Sequence, residues 1–111
     1  MSQRGGRDPN CAVEATIMVI AGRWKSLILW TLRDDPVRFL DLQGRMPGIS
    51  RRMLTRQLRE LEEDGIVERT VYAGAVPHTD YRLSERGRTL RPVLDALHEW
   101  GIAHTEFEKT G

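Results

Sequence analysis

Six side chains within ten residues could act on a polyanion. Ser50, Arg51, Arg52, Thr55, Arg56 and Arg59 share a stretch, residues 50–59, that holds no acid. A guanidinium is a planar fork of donors that matches two phosphate oxygens or the O6/N7 edge of guanine, as a lysine ammonium does not. At roughly 100° per residue, Met53, Leu54, Leu58 and Leu61 gather on one side of a helix. Arg52, Arg56 and Arg59 fall opposite, with Thr55 beside them. Acids follow only as Glu60, Glu62, Glu63 and Asp64. The helix macrodipole favours the reverse order. The sequence therefore gives up local stability to place cations on the first two turns, the part a recognition helix offers to the major groove. A solvated, arginine-rich surface helix is the plainer reading, but it does not explain why turn, cap and charge order agree.

That agreement starts upstream. Pro47-Gly48 breaks the preceding helix, Ser50 is a good N-cap, and Ile49 with Leu54 has the N′–N4 spacing of a hydrophobic staple. Gly65 fits an αL cap at the far end. Within this frame Ser50 and the first-turn amides suit a phosphate. Arg52 and Arg56, one turn apart, suit bidentate guanine contacts, and Thr55 a thymine methyl. Arg51 and Arg59 sit towards the edges and suit phosphate.

Other elements must hold that helix in place. Asn10 is a plausible cap for a helix over residues 11–21, where Val13, Ile17 and Ile20 form one apolar stripe and Met18 with Ala21 a second. Gly22 ends it. A helix over residues 24–33 turns Trp24, Leu27, Ile28, Thr31 and Leu32 inward and stops at Asp34-Asp35-Pro36. Val37-Arg38 is extended, and residues 39–46 form a helix with Phe39, Leu42 and Met46 inward. After the arginine helix the period drops to two. Val67, Arg69 and Val71 alternate with Glu68, Thr70 and Tyr72, and residues 79–83 return as a second strand with Tyr81 and Leu83 on one face. Ser84 caps a long final helix, kinked or broken near Pro92. It carries Leu90, Val93, Leu94, Leu97, Trp100, Gly101, His104 and Phe107 at alternating three-and-four spacing. This is the order of a mainly α winged helix-turn-helix with a small β-hairpin. The hairpin tip, residues 72–80, is the wing, and His78 there either reaches the minor groove or is merely exposed. The last stripe is longer than a small domain covers by itself. It predicts a two-fold dimer through the first and last helices, unless it folds back on its own domain.

Size and composition set the bounds. The 111 residues suffice for one domain, residues 10–108, behind a polar, disordered arm of residues 1–9 that lacks the apolar segment of a secretory signal. No apolar run approaches bilayer length, so no membrane partner and a cytoplasmic location are expected. A net charge of +1 conceals an uneven choice of cation: apart from Lys25 and Lys109, all of the 17 basic residues are arginine. Cys11, the single cysteine, excludes an intrachain disulfide and leaves a free thiol or an intersubunit bridge. His78, His98 and His104 lack metal-ligand spacing, and Asp95 with His98 reads as a surface pair. No nucleophile–base–oxyanion set is visible. Neither a metal, a cofactor nor catalysis is expected.

From residue 11 to about residue 100 the chain resembles the HxlR-type winged helix-turn-helix regulators of bacteria. The stretches that carry the resemblance are Gly22-Arg23-Trp24-Lys25, Leu27-Ile28-Leu29, Arg38-Phe39-Leu40-Asp41-Leu42, residues 47–55 and 57–65, Tyr81-Arg82-Leu83-Ser84, Gly87, Leu90, Pro92 and Trp100. It implies a homodimeric transcription factor on double-stranded DNA, built on its first and last helices and tolerant of Pro92. It also implies oxidant or electrophile sensing at Cys11, where a helix start favours the thiolate; a small buried hydrophobe is the alternative for that residue. Ala12 and residues 76–80 depart from the family, which usually has proline after the cysteine and two prolines in the wing. The resulting reading is a sequence-specific regulator, a repressor by expectation. Two alternatives stand beside it: a winged helix used for protein contact, and a sensor of a small-molecule effector at the dimer interface without thiol chemistry. Trp24, Trp30 or Trp100 would line that effector site if they are not core.

Overall fold

The computed structural model describes residues 9–105. Its elements are α1 (Pro9–Ile20), α2 (Arg23–Thr31), β1 (Val37–Arg38), α3 (Phe39–Gly44), α4 (Arg51–Glu63), β2 (Val67–Tyr72), β3 (His78–Leu83), α5 (Glu85–Arg88) and α6 (Arg91–His104). The strands form one antiparallel sheet in the order β1-β3-β2, with Val37 opposite Tyr81 and Val67 opposite Leu83. This is the winged helix-turn-helix that the alternation of periods predicts. No helix among the described residues is long and apolar enough to cross a membrane.

One core joins the elements. Ile28, Leu29 and Leu32 of the α2 segment meet Leu54, Leu58 and Leu61 of α4, with Leu42, Met46 and Ile49 below and Val67, Tyr81 and Leu83 from the sheet. Burying a leucine is worth about 1.5–3 kcal/mol, so the three α4 leucines fix both the position and the rotation of that helix.

Several expectations need correction. In α2 the inward face is centred on Ile28, Leu29 and Leu32, while Leu27 is 41% exposed. Leu27-Ile28-Leu29 is an unbroken apolar run, in which periodicity alone cannot choose the buried edge. Helix α1 starts at Pro9, so Asn10 lies inside its first turn instead of capping it. Ser84 caps only the short α5, accepting from the Gly87 amide at 2.9 Å. The chain breaks at Thr89-Leu90, as Pro92 predicts, and a separate α6 begins with Pro92 in its first turn, where the missing N–H is no loss. The α6 stripe divides as well: Leu94 is buried and Val93 half-buried, while Leu97 and Trp100 are exposed. Trp24 and Trp30 pack against the core as expected, but Trp100, 61% exposed, does not. Asp95 and His98 are not a pair. Asp95 accepts from Arg33 Nε at 3.2 Å, and His98 stacks on Trp30 with centroids 4.4 Å apart. The arm of residues 1–8, and Phe107, lie outside the described residues.

Arg33 makes a joint between α2 and α6. Its guanidinium also lies 4.0 Å from the Trp30 ring centroid, and its carbonyl accepts from Arg91 Nε at 2.8 Å.

Candidate nucleic-acid interface

Local chemistry explains why α4 stands where it does. Gly48 has φ +92°, and the Ile49 amide donates to the Met46 carbonyl at 3.1 Å. Proline followed by a positive-φ glycine is what a type II turn needs. Ser50 Oγ then accepts from the Met53 amide at 3.0 Å, and Ile49 and Leu54 are both buried, completing the staple. At the other end Gly65 (φ +76°) donates to the Glu62 carbonyl and Ile66 to the Leu61 carbonyl, both at 2.9 Å. These two bonds are a Schellman closure, with Leu61 and Ile66 making its apolar contact. Turn, cap and closure leave the arginine face no rotational choice.

On that face Arg51, Arg52, Arg56 and Arg59 are exposed and Thr55 is half-buried among them. Arg52 makes no ion pair among the described residues. Arg51 lies over the Phe39 ring, 5.1 Å from its centroid. Arg56 is less free than its spacing suggests, because Glu60, one turn on, lies 3.9 Å from its Nε. The other Glu60 oxygen meets Lys25 Nζ of α2 at 2.7 Å. The Lys25 hydrogen bond and charge, with a smaller contribution from Arg56, hold the Glu60 carboxyl below the usual carboxylate range. Arg59 lies towards the sheet, near Tyr81, whose phenol is pushed up by burial and by Glu62 against the pull of Arg69 and Arg59. Arg69 Nε is 3.4 Å from Glu62, which ties β2 to the last turn of α4.

The wing is the loop of residues 73–77 with its flanking strand ends. His78 stacks on Tyr72 (centroids 4.5 Å apart, planes 14°), its Nδ1 is 3.1 Å from the Val76 carbonyl and its Nε2 is 3.7 Å from Asp80 Oδ1. The ring braces the hairpin and is half-buried. A cleft of about 360 Å³ opens between wing and helices, lined by Arg38, Phe39, Leu40, Arg51, Thr55, Val76, Pro77, His78, Thr79 and Tyr81. Arg51, Thr55 and His78 thus share one recess; Arg51 and Thr55 also border the open face, where Arg52, Arg56 and Arg59 stand with Glu60 and Glu63. Ser50 spends an oxygen lone pair on its cap, and its O–H remains able to donate.

Cys11 belongs to neither surface. It is a free, half-buried thiol at the third position of α1. Three features escaped sequence reasoning: the Lys25–Glu60–Arg56 chain, Arg38 in the cleft, and the bracing of His78. The first was open to inspection as an i, i+4 Arg56/Glu60 pair; the others need the fold.

Comparison with known proteins agrees with this geometry. Residues 19–109 match the HxlR-like helix-turn-helix family. The chain is 50% identical over 91 residues to an uncharacterized HTH-type transcriptional regulator of Methanothermobacter thermautotrophicus, covering 82% of this chain and 70% of that one. It is 45% identical over 109 residues to the HTH-type transcriptional regulator YybR of Bacillus subtilis, covering 96% and 87%. Among solved structures, the reduced form of the redox regulator HypR superposes with a TM-score of 0.82 at 42% identity, over 90% of this chain and 99% of that one. The chain belongs to the HxlR-like helix-turn-helix family and is a transcriptional regulator of the helix-turn-helix type.

Proposed function

We propose that the chain is a sequence-specific DNA-binding repressor that acts as a homodimer, with α4 in the major groove and the wing at the minor groove. The observation that carries this reading is the exposed arginine face of α4, backed by three buried leucines and a capped, staple-fixed first turn. Arg52 and Arg56 read guanines, Thr55 a thymine methyl, and Ser50, Arg51 and Arg59 hold phosphates. His78 keeps the wing in shape and brings its backbone to the minor groove. A dimer that neutralises about eight phosphates has a log affinity that falls with log salt at a slope near −7. A slope near zero refutes the reading. Sites selected from random duplex should be pseudo-palindromes with half-sites one helical turn, or a multiple of it, apart.

Dimerisation is supported by apolar surface left uncovered on the two terminal helices: Val13, Ile17 and Met18 on α1, the last 73% exposed, and Leu97 and Trp100 on α6. For the signal, the half-buried helix-start Cys11 and the likeness to a protein named a redox regulator support a thiol switch. A Cys11→Ser protein should keep its DNA when oxidant is added. If it still releases the duplex, the thiol is not the sensor and a small-molecule effector takes its place.

A further inference from the structure

The recess between the wing and the starts of α3 and α4 differs in character from the open face of α4. Glu60 and Glu63 share the open face with its arginines. The recess carries Arg38 and Arg51, with His78 at its wall, and no carboxylate among the described residues lines it. Arg38 is exposed and makes no ion pair among the described residues. The β-register sets it opposite Asp80, but that carboxylate is turned to His78 Nε2, 3.7 Å away. Arg51 is steadied over Phe39, which also lines the recess. Two lining residues are exposed apolar side chains from different elements, Leu40 of α3 (66%) and Val76 of the wing (70%).

Unneutralised guanidinium groups beside apolar surface match a repeating chain of anionic and apolar units better than a compact ion. A sugar–phosphate backbone is such a chain. A volume of about 360 Å³ lies in the range that ligand clefts occupy.

We propose that this recess is the track of one DNA strand: Arg38 and Arg51 hold successive backbone phosphates, and Leu40 and Val76 flank the adjoining deoxyriboses. The inference rests on the DNA-binding reading above and adds Arg38 to the residues that carry it. Arg38 is a phosphate anchor, contributing to affinity for every sequence alike and reading none.

The test measures binding of a fluorescein-labelled random-sequence duplex of about 30 base pairs against salt concentration, for the wild-type chain and for Arg38→Gln, Arg38→Lys and Arg82→Gln. Arg82 is a control, an exposed arginine already paired with Glu68 at 3.2 Å. Losing one phosphate contact per subunit should flatten the log–log slope by about 2 for a dimer in Arg38→Gln. Arg38→Lys and Arg82→Gln should keep the wild-type slope. In a selected operator, a neutral methylphosphonate scanned along the backbone should find one position per half-site that weakens wild-type binding about tenfold and leaves Arg38→Gln unmoved. If the wild type binds steeply with salt and Arg38→Gln has the same slope, this site is wrong and the general reading survives. If the wild type ignores duplex, both fall.

Discussion

Gly87 offers the sharpest test of the packing that holds α4. A Cβ built there falls on the carbonyl oxygen of Ile66, far inside contact distance, with the Ile66 carbonyl carbon at 3.1 Å and its Cγ2 at 3.3 Å. Gly87→Ala must therefore push α5 away from the corner where α4 passes into β2. That corner is closed by Ser84, whose amide donates to Ile66 O at 2.9 Å and whose hydroxyl donates to Gly65 O at 2.6 Å. Overpacking costs about 1–3 kcal/mol, and loosening the two Ser84 bonds costs about 1 kcal/mol each. Alanine's better helix propensity returns up to about 1 kcal/mol. The net loss is about 2–4 kcal/mol, which at ~4–8 °C per kcal/mol lowers the melting temperature by about 8–32 °C. Urea and thermal unfolding followed by circular dichroism, at matched protein concentration, measure it. Gly44→Ala is the control, since no atom lies within 4 Å of a Cβ there, and it should match or slightly exceed the wild type. A Gly87→Ala protein within about 1 kcal/mol of wild type would falsify the argument.

Other outcomes follow from the same contacts. Ser50→Ala removes the cap of α4 and should cost about 1 kcal/mol in urea unfolding, with Ser50→Asp retaining most of the stability. Glu60→Gln releases Arg56 and should tighten binding to random duplex and steepen its salt slope, while Glu63→Gln should leave Arg56 unaffected. Because the Glu60 carboxyl is held low by Lys25, its stabilising contribution is present above the ordinary glutamate range and lost as pH falls through its depressed value. Wild type should therefore lose more stability than Glu60→Gln on acidification below about pH 4.3; parallel curves would dismiss the Lys25 bridge. Leu97→Asp places a charge on the uncovered α6 face. It should yield a folded monomer by light scattering with DNA affinity sharply reduced, and an unchanged mass would move the seam elsewhere.

Much of this was legible in the residues because local rules and global placement agree along residues 47–65. Pro47, Gly48, Ser50, Ile49, Leu54 and Gly65 each do in the structure what their type prescribes. The hairpin was legible from its period, and the break before α6 from Pro92. Leu27 and Leu29 were not separable, because an apolar run carries no phase. Trp100 was read both as part of the last-helix stripe and, with Trp24 and Trp30, as core; the described chain leaves it 61% exposed. Arg38 was passed over because its neighbours in space, Arg51 and the wing, are distant in sequence. His78 stood out as a titratable residue at a loop, but its engagement with Tyr72, Val76 and Asp80 exists only once β2 and β3 are paired.

Helix α2, nine residues long, is fastened at both ends. Near its start Lys25 meets Glu60 of α4; just past its end Arg33 contacts Trp30, Asp95 and Arg91. A salt bridge and a carbonyl hydrogen bond at Arg33, beside its ring contact, thus join α6 to the end of α2, and Lys25 joins its start to Glu60. On the proposed DNA-binding reading, a displacement of α6 carried along α2 would reach the carboxylate beside Arg56.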